Sequence, residues 1–133
     1  MASAALAFAF RGDKLLVSGA ADEPTDTPPQ LPPFALLTAV GLTGVPHYLG
    51  ALNGVDCIAV NLPEASTEPV GWRYAGLRSL FFRLPEPLMA IATRAFQVVD
   101  WDRTHRYCGR CGTPTQDKAG ERAKECPACG LIA

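Results

Sequence analysis

Cys108-Gly109-Arg110-Cys111-Gly112, then a further thirteen residues, then Cys126-Pro127-Ala128-Cys129-Gly130: read as a spacing, this is C-x2-C-x14-C-x2-C. Two residues between paired cysteines let one tight turn aim both sulfurs at a single point. Two such pairs supply the four soft ligands of a tetrahedral zinc site, with zinc–sulfur distances of about 2.3 Å. Gly112 and Gly130 each follow the second cysteine of a pair. Glycine tolerates a positive φ at that point, so the turn can fold back beneath the metal. Residues 113–125 are then expected to form a short hairpin that brings the two knuckles together. A lone C-x2-C is also a redox motif, and the same four cysteines could form two disulfides or stay as free thiols. Two pairs at this spacing, without a thioredoxin-like βαβ context, favour zinc. Four cysteines close the coordination shell, which marks a structural zinc ion rather than a catalytic one. The expected metal ligands are therefore Cys108, Cys111, Cys126 and Cys129, and metal binding is expected to contribute to folding.

The rest of the composition sets bounds. A chain of 133 residues, 48% of them hydrophobic, is long enough for one modest domain and a small metal module. The net charge of −1 gives no global attraction to nucleic acid or acidic lipid. Arg103, Arg106, Arg110, Lys118, Arg122 and Lys124 make the C-terminal stretch mildly basic, but Asp102, Asp117, Glu121 and Glu125 are interspersed among them. Mixed signs read as a solvated polar face. The fifth cysteine lies in the apolar run Cys57-Ile58-Ala59-Val60 and is expected to be a small buried hydrophobe. Reduced thiols fit a cytoplasmic protein. No run of 18 apolar residues occurs, so neither a transmembrane helix nor a membrane partner is expected. The apolar N-terminus, Met1 to Phe10, lacks the basic region that would begin a signal peptide.

In chain order, Leu6–Phe10 and Lys14–Ser18 flank Arg11-Gly12-Asp13 and predict a β-hairpin. Residues 19–33 hold Pro24, Pro28, Pro29, Pro32 and Pro33 and predict a loop. The apolar run Phe34–Val40 is expected to be a buried strand. Asn53-Gly54 between His47–Leu52 and Val55–Leu62 predicts a second hairpin, because both turn positions need positive φ; His47 is placed just before its first strand. Pro63 to Pro69 reads as another loop. From Pro85 the period changes: Leu88, Ala92, Ala95, Phe96 and Val99 share one face of an amphipathic helix of about four turns. Pro85 and Pro87 fit its first turn, and Glu86 complements the helix dipole there. His105 precedes the first knuckle but is not needed once four cysteines are in place. The fold class is α+β: a small β-rich N-terminal domain over residues 1–84, a connecting helix over 85–104 and a four-cysteine zinc ribbon over 105–133.

Several segments, in this order, resemble the NADH pyrophosphatase family of Nudix hydrolases. They are His47-Tyr48-Leu49-Gly50 with its hairpin, Leu77-Arg78-Ser79-Leu80, Leu84-Pro85, Ala95 with Trp101, and His105-Arg106-Tyr107-Cys108-Gly109-Arg110-Cys111-Gly112. The resemblance spans the whole chain and is loosest over the first thirty residues. It implies an N-terminal β-rich domain, a connecting helix and a ribbon whose zinc ligands fall on Cys108, Cys111, Cys126 and Cys129. It further implies a following Nudix domain. That domain would hydrolyse NADH or NAD to nicotinamide mononucleotide and AMP, or remove NAD caps from RNA, as part of a homodimer. Its magnesium or manganese ions would be held by glutamates of the pattern G-x5-E-x7-R-E-x2-E-E-x-G, which neutralise the pyrophosphate and activate water. This sequence contains no Arg-Glu or Glu-Glu pair, so that box is absent. With Leu131-Ile132-Ala133 directly after the second knuckle, these residues are expected to be the non-catalytic part of such an enzyme, with no catalytic or NAD-binding residues of their own. Two other classes fit the ribbon alone. One is a nucleic-acid-binding module using the six basic residues above, with Tyr107 stacking on a base. The other is a protein-interaction adaptor.

Overall fold

The computed structural model describes residues 5–19 and 28–133. The chain forms two compact units, Met1–Val99 and Asp100–Ala133. Most of the proline-rich loop expected over 19–33, and the start of the apolar N-terminus, lie outside the described residues.

The first unit is built on a five-stranded sheet of order β3-β4-β1-β2-β5. The hairpin of β1 (Leu6–Arg11) and β2 (Lys14–Ser18) forms as expected, turning at Gly12 with φ 64°. β3 (Pro46–Leu52) and β4 (Val55–Leu62) form the second hairpin, and Asn53 and Gly54 take φ of 50° and 79°. His47 lies inside β3 rather than before it, opposite Ala59. β4 then pairs parallel to β1, while β5 (Trp72–Gly76) pairs antiparallel to β2.

β1 is buried on both faces, and its alternation sorts large side chains from small. Phe8 and Phe10 join Leu15, Val17, Cys57 and Ala59 on one face. Ala7 and Ala9 join Leu16, Val60 and Leu62 on the other. Cys57 is buried, as its apolar neighbours implied. The first face is covered by α3 (Glu86–Thr104) through Met89, Ala92, Ala95 and Val99. Phe96 reaches the same cluster and sets its ring 5.5 Å from that of Phe10. At 19 residues, α3 fills the connecting helix expected over 85–104, starting one residue later and ending where expected.

The second face is covered by α1 (Phe34–Ala39), which corrects the expectation of a strand over Phe34–Val40. A short apolar run does not by itself distinguish a buried strand from a short helix. What decides here are the flanks. Pro33 occupies the N-cap, and Gly41 ends the helix at φ 77°. Leu37 is the side chain that α1 buries.

After β5 the chain makes one turn of helix, α2 (Leu77–Leu80), before α3 begins. Phe82, in the link between them, is fully exposed and adopts φ 69°. A left-handed conformation costs an L-residue about 1–2 kcal/mol. Phe82→Gly is therefore expected to raise stability in urea unfolding by about 0.5–1 kcal/mol, after the entropy cost of glycine. Gly44 should respond in the opposite direction. A Cβ there would lie 2.2 Å from the Asn61 carbonyl oxygen and 2.9 Å from Val60 Cγ1. Since the nearer atom is backbone, Gly44→Ala is expected to cost about 1–3 kcal/mol in the same measurement.

Candidate metal centre

The second unit contains the two knuckles, and they are the same structure written twice. The Cys108 amide donates to the Thr113 carbonyl at 2.8 Å, and the Cys126 amide to that of Leu131 at 2.9 Å. Gly112 donates back to the Cys108 carbonyl and Gly130 to that of Cys126. Gly112 and Gly130 have φ of 77° and 80°, the left-handed turn expected from their positions. Tyr107 bridges to Pro114 as Glu125 bridges to Ile132. Between the knuckles, β6 (Gln116–Asp117) pairs with β7 (Lys124–Glu125), the short hairpin anticipated for residues 113–125.

This arrangement brings all four sequence-predicted sulfurs together. The Sγ atoms of Cys108, Cys111, Cys126 and Cys129 lie within 4.8 Å of one another. Cys108 Sγ is 3.6 Å from Cys129 Sγ, and Cys111 Sγ is 3.4 Å from Cys126 Sγ. A disulfide would need about 2.05 Å, and none of the four is in one. A tetrahedron with arms of about 2.3 Å has edges of about 3.8 Å, so the spacing fits a four-thiolate zinc ion. His105 does not join the cluster; its Nδ1 faces the Trp101 carbonyl at 2.8 Å.

The local electrostatics favour thiolates at the exposed corners. The amide of Leu131 and then the Arg110 guanidinium hold the Cys129 thiol down to about 6. The Thr113 hydroxyl and amide lower Cys111. For Cys126, the amide of Cys129 favours the thiolate, but burial and the neighbouring sulfurs outweigh it and push the thiol up. Four sulfurs this close cannot all carry charge unless a cation lies among them. The amides of Arg110 and Cys129 add contacts of 3.4 Å to Cys108 Sγ and Cys126 Sγ.

What the unit lacks is equally informative. From Asp100 onward, the buried side chains are Cys108, Cys126 and Lys124 alone. There is no apolar core to hold 34 residues together, a situation in which small domains rely on metals or cross-links.

Lys124 is a feature that sequence spacing did not disclose. Its ammonium is 2.6 Å from Asp102 and 2.6 Å from Asp117, and 5.3 Å from the Trp101 ring centroid. Burial disfavours the charged ammonium, but hydrogen bonds to Asp102 and Asp117 outweigh that and raise its pKa. The β6–β7 register, Asp117 opposite Lys124, was recoverable from the hairpin; the contact with Asp102 at the end of α3 was not. Other basic residues are engaged locally. Arg103 pairs with Asp100, Lys118 with Glu121, and Arg110 donates to the Cys129 carbonyl at 3.1 Å. That agrees with a solvated face of mixed charge.

Comparison with known proteins covers both units. Residues 4–101 match a family model described as an NADH pyrophosphatase-like rudimentary NUDIX domain, and residues 103–132 match one described as an NADH pyrophosphatase zinc ribbon domain. A protein of Deinococcus radiodurans named NAD-capped RNA hydrolase NudC is 38% identical over 127 residues, which are 96% of this chain and 40% of that protein. Proteins of the same name from Stutzerimonas stutzeri and Pseudomonas fluorescens are 37% and 36% identical, over 62% and 64% of this chain and 30% of each relative. The chain thus spans less than half the length of these relatives. Among the described residues, no helix is long and apolar enough to cross a membrane.

The Lys124 contacts generate a test. Lys124→Met removes the ammonium that lies 2.6 Å from Asp102, whose side chain is only 13% exposed. Breaking a buried pair from one side costs about 3 kcal/mol, whereas replacing both partners by apolar groups can be neutral. Unfolding of the second unit, followed by Trp101 fluorescence in a Trp72→Phe background, should show that loss for Lys124→Met and recovery of most of it in Lys124→Met/Asp102→Leu.

Proposed function

Given that the chain belongs to the NADH pyrophosphatase family of Nudix hydrolases, we propose that it is the non-catalytic N-terminal and zinc-ribbon portion of a cytoplasmic enzyme that hydrolyses NAD(H) or NAD-capped RNA. The observation that carries this reading is the tiling of the chain by two adjacent matches, 4–101 and 103–132. The sequence has no Arg-Glu or Glu-Glu pair and so lacks the glutamate box of a Nudix active site. Hydrolysis, and the magnesium or manganese it uses, therefore belong to a domain outside these residues. Within them, residues 1–84 act as the β-rich body, 85–104 as the connecting helix and 105–133 as the ribbon, and in the full protein this scaffold contributes to a homodimer.

Cys108, Cys111, Cys126 and Cys129 are the zinc ligands in this reading. With four sulfurs in the shell, no position remains for water or substrate, so the metal's role is to hold the fold. The absence of an apolar core from the ribbon supports that role, because metal binding then becomes folding free energy.

Metal analysis with light scattering on the purified 133-residue protein is the direct test. One zinc per chain is expected, with no turnover of NADH when magnesium or manganese is supplied. Stripping the metal with a strong chelator should unfold Asp100–Ala133 and leave the sheet of the first unit intact by circular dichroism. Metal-dependent NADH hydrolysis by this protein would overturn the assignment of catalysis elsewhere. A metal-free protein with a folded ribbon would overturn the structural zinc.

A further inference from the structure

The four sulfurs are not equivalent. Cys108 and Cys126, the first of each pair, are buried; Cys111 and Cys129, the second of each pair, are exposed. The buried sulfurs also receive backbone N–H groups, from Arg110 and Cys129. Each of the contacts at 3.4 and 3.6 Å joins one exposed sulfur to one buried sulfur of the opposite knuckle, Cys111 to Cys126 and Cys129 to Cys108. We propose that the ribbon is a peroxide-responsive switch, in which the exposed Cys111 and Cys129 are oxidised first and the buried Cys126 and Cys108 resolve them into two cross-knuckle disulfides, releasing the metal. This rests on the reading of the four cysteines as zinc ligands.

The chemistry balances with hydrogen peroxide as the oxidant. An exposed thiolate attacks one peroxide oxygen; the S–O bond forms, the O–O bond breaks and hydroxide leaves, giving a sulfenic acid. The facing buried thiolate then attacks that sulfur. The S–S bond forms, the S–O bond breaks and a second hydroxide leaves. Two solvent protons convert the hydroxides to water. Each disulfide thus takes two electrons from two thiolates and reduces one peroxide to two waters. Two peroxides consume all four ligands.

Closing either contact to a bond of about 2.05 Å requires a movement of about 1.5 Å between facing sulfurs, within reach of a turn that has lost its metal. The covalent links would join the same points that the metal joined. Four cysteines allow three pairings, and the contacts of 3.4 and 3.6 Å favour Cys111–Cys126 with Cys108–Cys129. Because the unit has no apolar core, losing the metal removes what holds it folded, while links between knuckles keep its two halves in register for reduction. Oxidant would then control whether the ribbon is a rigid part of the enzyme.

The test uses zinc-loaded protein carrying Cys57→Ala, so that only the four ribbon thiols remain. Zinc content is measured first, peroxide is added stepwise, release is followed with a chromogenic chelator, and disulfides are mapped by mass spectrometry under non-reducing conditions. The expected result is one zinc released per two peroxides consumed, linkage of Cys111 to Cys126 and Cys108 to Cys129, and recovery of bound zinc on adding thiol reductant with zinc. Zinc retained at a tenfold excess of peroxide overturns the switch while leaving the structural zinc intact. Disulfides within the knuckles, or irreversible oxidation to sulfonic acids, overturn the resolving roles of Cys108 and Cys126. Absence of zinc before any peroxide is added overturns the zinc reading itself, and the switch with it.

Discussion

Four sulfurs drawn within 4.8 Å of one another are a problem before they are a site. Local donors bear on each sulfur: the Leu131 amide and Arg110 at Cys129, Thr113 at Cys111, the Arg110 and Cys129 amides at the two buried sulfurs. Those donors stabilise negative charge one sulfur at a time and do nothing for the repulsion among the four. A cation at their centre would satisfy both conditions. The two knuckles are arranged around that requirement. The paired turns exist to aim sulfurs, their glycines to let the backbone fold back, and the two-residue strands of β6 and β7 to fix the distance between the turns.

The first unit answers to a different constraint. β1 must be buried on both faces, and the sheet is complete only when a helix lies on each side. The pattern Leu6-Ala7-Phe8-Ala9-Phe10 meets that constraint with an asymmetry of volume. Phenylalanines fill the side covered by the long α3, and alanines leave room on the side where the short α1 lies close. Gly44 follows the same logic: a chain passing within 2.2 Å of where its Cβ would be, at the Asn61 carbonyl, leaves no room for a side chain.

What the sequence disclosed and what it hid divide along these lines. The sulfur cluster was legible because metal geometry maps directly onto spacing, and its knuckle glycines because a turn of that kind needs positive φ. The Asn53-Gly54 hairpin was legible for the same local reason. α3 was legible both in its apolar face and in its extent, expected over 85–104 and found over Glu86–Thr104. α1 was misread as a strand because Phe34-Ala35-Leu36-Leu37 shows neither period clearly, and the informative residues, Pro33 and Gly41, lie outside the run. Lys124 was invisible for a deeper reason. A lysine two residues before a knuckle cysteine reads as surface charge, and only the three-dimensional approach of Asp102 turns it into a buried cation.

Lys124 and Cys126 also explain how a unit without an apolar core can have a defined shape. They sit two residues apart, Lys124 in β7 and Cys126 directly after it, so their side chains leave the chain on the same side in extended backbone. Through Lys124 the strand is tied to the end of α3 at Asp102 and Trp101; through Cys126 it is tied to the other three sulfurs. Both ties are electrostatic, and both are strong only where water is excluded. The two ties act on the same short stretch, Lys124 to Cys126, so fixing one end of it helps to place the other. A ribbon built this way is cooperative at small size. It is also brittle, because there is no hydrophobic reserve to fall back on when either tie is cut.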